Sequence, residues 1–376
     1  MARLSAEKAA NVRLFRREME SPRPDGSTSN TPLLLVIEPT SRCNFKCVHC
    51  SQTFTDRAPA DLSPELFETV VPGMKAALEV YLFGDGEALL DVPRHLGMLE
   101  RTYGQNPACS LGFSTNGKLL TPEVYERYAA AGIGYIQLSI DAATKELYET
   151  MRRGGSFDEL VANLDGVAAL RRRAKGRQPR LHLATVISRQ NYRQLPLLAE
   201  FAKRYGFCLW YINVEYPHNP GRDALRLTAK DMAELEVIRA EIIRHYGSYY
   251  ATAFDAAIGM HLEEREERFD QKAPVYCTVP WQRFELKANG EVKVCPYFHE
   301  PICSMNGRSL MEVWNGPEFR RIRRTFATGT DIPSYCVHCA SGMRRQYLPG
   351  IPVGSDIHRV SLLARLIRRS RAILRG

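Results

Sequence analysis

The chain has 376 residues, 44% of them hydrophobic, and a formal charge of +9. That is enough for a barrel plus a smaller appendage with an ample core, and no apolar run reaches the ~18 residues that a membrane-spanning helix needs. Residues 356–376 hold six arginines and one acid, so the rest of the chain is nearly balanced. With no basic–aromatic platform in view, a nucleic-acid partner is not expected.

Met1–Arg23 mixes Glu7, Glu18 and Glu20 with its basic residues and has no apolar stretch of the kind that marks an export signal. Ten cysteines in such a chain read as thiols or metal ligands rather than disulfides, and a reducing cytoplasm is the expected location. Cys109 and Cys208 stand alone in apolar surroundings and read as small core residues. A helix from Ala6 to Glu20 and a Pro/Gly/Ser-rich connector fill residues 1–32.

The apolar run Leu33–Ile37 leads into Arg42-Cys43-Asn44-Phe45-Lys46-Cys47-Val48-His49-Cys50, three thiols within eight residues. An iron–sulfur cube normally takes four cysteines, one per iron, so three leave one iron open. An open metal position is where chemistry happens. The competing reading is a zinc knuckle with His49 as fourth ligand, although Cys-x3-Cys-x2-Cys suits the paired ligands of zinc poorly.

From residue 33, strands and helices alternate at βα spacing. Strands are predicted at 33–38, 78–83, 110–114, 135–140, 181–187 and 209–214, with helices near 63–76, 91–103, 122–131, 156–173 and 192–205. Six parallel strands fall short of a closed eight-stranded barrel, and catalytic groups of such folds sit at the C-terminal strand ends. Those ends carry Gly84-Asp85-Gly86-Glu87, Ser114-Thr115-Asn116-Gly117 and Ser139-Ile140-Asp141, and Arg152 follows the last of them. Period-two alternation turns Ser139 and Asp141 toward the cleft. Asn213, Glu215 and His218 at the sixth strand end are weaker candidates for substrate contact, and residues 223–273 read as a helical bridge.

Taken in this order, the cysteine loop and strand-end motifs resemble the radical S-adenosylmethionine (SAM) superfamily. The resemblance implies a partial (β/α)6 TIM-like barrel, a [4Fe–4S] cluster on Cys43, Cys47 and Cys50, and SAM chelating the open iron. One electron then cleaves SAM, and the 5′-deoxyadenosyl radical takes a hydrogen atom from substrate. His49 occupies a place usually held by an aromatic residue and is expected to pack on adenine. Gly86 and Glu87 correspond to the pair that meets the SAM amino group, with Asp85 in place of the more common glycine. Ser114 and Asn116 match a turn frequent at the third strand end. Ser139 and Asp141 fall near the ribose. Arg152, four residues before Ser156, corresponds to the arginine paired with the SAM carboxylate, a fit for bidentate guanidinium–carboxylate bonding. A reductant such as flavodoxin or ferredoxin is implied as partner.

Past residue 274, Asn289-Gly290 between alternating apolar runs signals a hairpin that brings Cys277 and Cys295 together, and Cys336-Val337-His338-Cys339 adds two thiols. Two pairs make a four-thiolate cage, which on spacing alone suits a zinc ribbon equally well. Cys-x12-Gly-x4-Cys followed by Cys-x2-Cys resembles the twitch domain, a shortened SPASM domain, in an α+β unit over 274–348. One auxiliary [4Fe–4S] cluster is implied, since Arg345 stands where a full SPASM domain has a further cysteine. Cys303 fits neither set and reads as an inert thiol, a substitute ligand or a hydrogen-atom donor.

The resemblance points first to oxidation of a small hydroxyl-rich molecule (sugar, aminocyclitol or nucleotide sugar), with the auxiliary cluster accepting an electron. Epimerisation through Cys303 and decarboxylation are related alternatives. A ribosomal-peptide maturase is a further one, although 32 residues cannot build a leader-gripping winged helix. A zinc-stabilised binding protein is the non-enzymatic alternative. The tail, 349–376, alternates apolar and basic residues, which suits either an anionic membrane surface or a terminal helix packed on its own domain.

Overall fold

A computed structural model describes residues 5–214, 223–246, 277–295, 300–333 and 336, and the strand pieces 347–348 and 351–352. The predicted tail apart from 351–352, most of the bridge, Glu215, His218, Cys339 and the side chain of Asn213 lie outside the described residues.

Six parallel strands form as their apolar runs predict: β1 (Leu34–Ile37), β2 (Glu79–Leu82), β3 (Ser110–Thr115), β4 (Tyr135–Ser139), β5 (Arg180–Ile187) and β6 (Leu209–Val214). Each neighbours the next in sequence, the order that right-handed βαβ crossovers produce. Among the helices are α1 (Ala6–Glu20), α2 (Pro64–Val70), α3 (Val92–Gln105), α4 (Pro122–Ala130), α5 (Lys145–Met151), α6 (Phe157–Arg173), α7 (Leu195–Tyr205) and α8 (Ala229–Tyr246). Caps fix several starts: Thr121 accepts from the Val124 amide and Ser156 from the Glu159 amide. The short helix α5 was not predicted.

Alternate strand residues divide two layers. Leu35, Ile37, Val80, Leu82, Leu111, Phe113, Ile136 and Leu138 join the helices in the main core. Leu34, Val36, Tyr81 and Tyr135 make a smaller cluster on the opposite, inner face.

The sheet does not stop where a separate C-terminal unit was expected. Strand β7 (Arg283–Leu286) lies parallel to β1, pairing Leu34 with Arg283 and Ile37 with Leu286. It turns back into β8 (Glu291–Lys293), on which β9 (Cys303–Ser304) pairs antiparallel, giving a nine-stranded sheet ordered β6-β5-β4-β3-β2-β1-β7-β8-β9. The predicted hairpin is present, closed by Gly290 N–H on the Lys287 carbonyl (2.9 Å) with Gly290 at φ +86°, the left-handed position that asks for glycine.

The segment before β1 is also stitched in. Asn30 donates to the Trp281 carbonyl (2.7 Å) and its own carbonyl accepts from Trp314 Nε1 (2.7 Å). Trp314 belongs to α9 (Leu310–Trp314), and Arg323 of α10 (Pro317–Thr328) stacks 4.1 Å over its ring.

Candidate active site

The cysteine loop leaves the end of β1 and is held along its length by the chain after α5. Lys46 N–H donates to the Arg153 carbonyl (2.8 Å) and Val48 N–H to the Met151 carbonyl (2.9 Å). The loop and Arg152 are therefore positioned as one piece. Cys47 is buried, Cys43 and Cys50 half-buried.

Burial pushes the Cys47 thiol up to about 11, against the pull of Arg152, and raises Cys43 and Cys50 as well. Without a cation these sulfurs stay protonated; a bound metal centre supplies the charge that ionises them. Among the described residues no three His, Cys, Asp or Glu side chains converge on a single ion. His49 is engaged elsewhere, its Nε2 lying 3.3 Å from Asp141 Oδ2.

Arg152 is buried with its guanidinium 2.6 Å from Asp141 and 3.9 Å from the Cys47 sulfur. Asp141 stands at the centre of these contacts. It has no exposed surface, its Oδ1 accepts from the Val186 amide (2.8 Å), and its Oδ2 faces both Arg152 and His49. The carboxylate is enclosed between those two side chains. Ser139 is half-buried at the end of β4.

Gly86 approaches the cysteine loop so closely that a Cβ would sit 2.3 Å from the Thr40 carbonyl oxygen, and Glu87 N–H donates to the Arg42 carbonyl (2.8 Å). The Glu87 side chain is turned inward. Oε1 accepts from the Leu89 amide (3.1 Å) and Thr115 Oγ1 (2.8 Å), and Oε2 from the Asn116 amide (2.7 Å). Burial raises the carboxyl above its ordinary value and these donors oppose the rise. Asn116 in turn donates to Asn44 Oδ1 (2.7 Å), and Ser114 Oγ accepts from Gln137 (2.8 Å). Three strand ends and the cysteine loop are thus tied into one rim.

Sequence reading missed Glu38, Arg57 and Lys287. Glu38 is buried, and its carboxylate accepts from the Asp85 amide (2.7 Å), the Ala288 amide (2.9 Å) and Arg57 (2.9 Å). An acid ending the apolar run Leu33–Ile37 was the available signal.

Cys277, Cys295 and Cys336 are half-buried and pack against the main core. Cys303 sits on β9 opposite Val292, in the row Ile37–Leu286–Val292–Cys303. Side chains in one such row share a face, and this row faces the helix-covered core. Burial raises the Cys303 thiol, with Arg308 pulling the other way. The thiol therefore lies on the helix-covered face, three strands from β1.

A partial barrel with a three-cysteine loop and three motif-bearing strand ends on one rim defines an iron–sulfur enzyme of the SAM-cleaving class. Comparison with known proteins agrees. The Radical SAM superfamily profile matches residues 37–202, and the SPASM iron–sulfur cluster-binding domain matches residues 277–340. The chain belongs to the radical SAM superfamily and carries a SPASM-type domain; its cofactors are SAM, a [4Fe–4S] cluster and auxiliary iron–sulfur. It is 28% identical over 340 residues to the mycofactocin maturase MftC of Mycobacterium tuberculosis, covering 86% of this chain and 81% of that one. It is 29% identical over 333 residues to the PqqA peptide cyclase of Granulibacter bethesdensis, covering 83% and 81%. The crystal structure of Streptococcus suis SuiB superposes with a TM-score of 0.60 at 18% identity, covering 84% and 72%. No described helix is long and apolar enough to cross a membrane.

Proposed function

We propose that this protein is a radical SAM maturase acting on a ribosomally made peptide. The observation that carries this reading is likeness to MftC and the PqqA cyclase across both the barrel and the SPASM-type domain. It displaces the small hydroxyl-rich substrate as first choice. Bound at the rim, cluster and SAM supply one-electron chemistry that removes hydrogen from an unactivated carbon. The protein's share is positional. Cys43, Cys47 and Cys50 would hold the cluster; Arg152, beside Asp141, would take the SAM carboxylate; Gly86, Ser114, Asn116 and Ser139 would line the rim around the cofactor. Cys277, Cys295, Cys336 and Cys339 would hold one auxiliary cluster, which would supply an electron acceptor. Residues 6–31 are tied to the body through Asn11 and Asn30.

The test is anaerobic incubation of reconstituted enzyme, dithionite and SAM with a peptide encoded beside its gene. A mass change in the peptide matched by 5′-deoxyadenosine is expected. An unchanged peptide, with deuterium passing from labelled sugars or aminocyclitols into 5′-deoxyadenosine, would overturn the peptide reading.

A further inference from the structure

Strand β7 brings the C-terminal domain into the rim. Because it runs parallel to β1, its C-terminal end emerges where the other parallel strands end, and Lys287 stands there. Its ammonium lies 3.0 Å from Asp85, 3.2 Å from Glu285 and 3.6 Å from Glu38, almost without exposure. Arg57, from the segment after the cysteine loop, reaches Glu38 (2.9 Å) and Asp85 (3.6 Å). Arg283 closes the set on Glu285 (2.8 Å). Three cations and three acids balance.

Such a cluster is a poor source of stability, because taking each charge out of water offsets most of the attraction. Its connectivity is the informative part. Glu38 receives the backbone amides of Asp85 and of Ala288, one from the loop before Gly86 and one from the hairpin turn. Lys287 then bonds the Asp85 side chain itself. Two parts of the chain some 200 positions apart meet at two atoms, and the loop they grip is the one whose Gly86 leaves no room against Thr40. Burial alone would favour a neutral Lys287, but Glu285, Asp85 and Glu38 outweigh it and raise the ammonium above the ordinary lysine range.

We propose that Lys287 is a positioning residue for SAM, a clamp from the SPASM-type domain that holds Asp85, and through it the Gly84–Glu87 loop, in the SAM-binding geometry. The cofactor affinity of the barrel then depends on a side chain of the other domain. This rests on the reading that Gly86 lines the SAM site.

The test is a double-mutant cycle of Lys287→Met, Asp85→Asn and their combination in anaerobically reconstituted protein. SAM dissociation constants come from equilibrium dialysis, with iron content and melting temperature measured alongside. Lys287→Met is expected to weaken SAM about 10-fold, mid-range for residues coupled in one network. The double variant should be no weaker than Asp85→Asn alone, and Lys287→Arg should recover most of the affinity. Equal SAM affinity in Lys287→Met at unchanged iron content, or penalties that multiply, would overturn the clamp. Gly86→Ala separates the two levels: if it binds SAM normally, the assignment of the loop to SAM has failed, whatever Lys287 does.

Discussion

Asp141 and Arg152 meet 2.6 Å apart with almost no solvent between or around them, and the same carboxylate reaches His49 at 3.3 Å. Asp141→Asn keeps the volume and the oxygen that accepts from Val186 but removes the charge that aims the guanidinium. The variant is expected to bind SAM about 10-fold more weakly, the cost of one charge-assisted hydrogen bond. Decarboxylated SAM lacks the group that Arg152 would grip, so its affinity should not move. Equal weakening of both ligands in equilibrium dialysis would return Asp141 to a structural or ribose-contacting role.

Glu87 offers a sharper test of the rim, because three donors share its two oxygens. Thr115 can reverse its hydroxyl, but the amides of Leu89 and Asn116 cannot. Glu87→Gln therefore points an amide nitrogen at one backbone N–H in either orientation. A loss of about 1–3 kcal/mol is expected for the unsatisfied buried group, read by denaturant unfolding of the metal-free protein. SAM affinity should fall with it, since the Asn116 turn loses its anchor. A variant as stable as the parent would show that the carboxylate is not the tie between β2 and β3.

What the sequence made legible was local. The Cys43–Cys50 spacing, the six apolar strand runs and the Asn289-Gly290 turn are contiguous signals, and the corresponding elements formed within a few residues of their expected bounds. The parallel pairing of β7 with β1 was not legible. Arg283-Phe284-Glu285-Leu286 reads as a strand, but alternation does not say which edge accepts it. The Glu38–Lys287 contact was hidden for the same reason. Asp141 was placed on the correct side by alternation, yet its enclosure depends on Val186 and Arg152 arriving from elsewhere in the chain.

Cys303 faces the helices beside Arg308 and Glu318, and this distinguishes its three readings. Cys303→Ala should retain full iron content and SAM cleavage, with a stability loss of about 1 kcal/mol, typical of a half-buried substitution. Iron analysis, 5′-deoxyadenosine quantitation and thermal melting check these together. Loss of auxiliary iron would make the residue a ligand. Intact clusters with a persistent substrate radical in electron paramagnetic resonance would make it the hydrogen donor.

Asn30 tests whether the N-terminal strap and the C-terminal helices are one body. Its amide donates to the carbonyls of Thr31 and Trp281, its Oδ1 accepts from Thr28, and its own carbonyl holds Trp314 Nε1. Asn30→Ala leaves the backbone bond to Trp314 in place while removing the donor from the buried Trp281 carbonyl. The expected cost is about 1–3 kcal/mol, that of orphaning a buried acceptor. If the strap is integral, unfolding should remain a single transition whose midpoint shifts, reported alike by tryptophan fluorescence and by circular dichroism. If residues 21–32 are only a tether, fluorescence of Trp281 and Trp314 should change early while the barrel's dichroism stays fixed, and the two probes would separate.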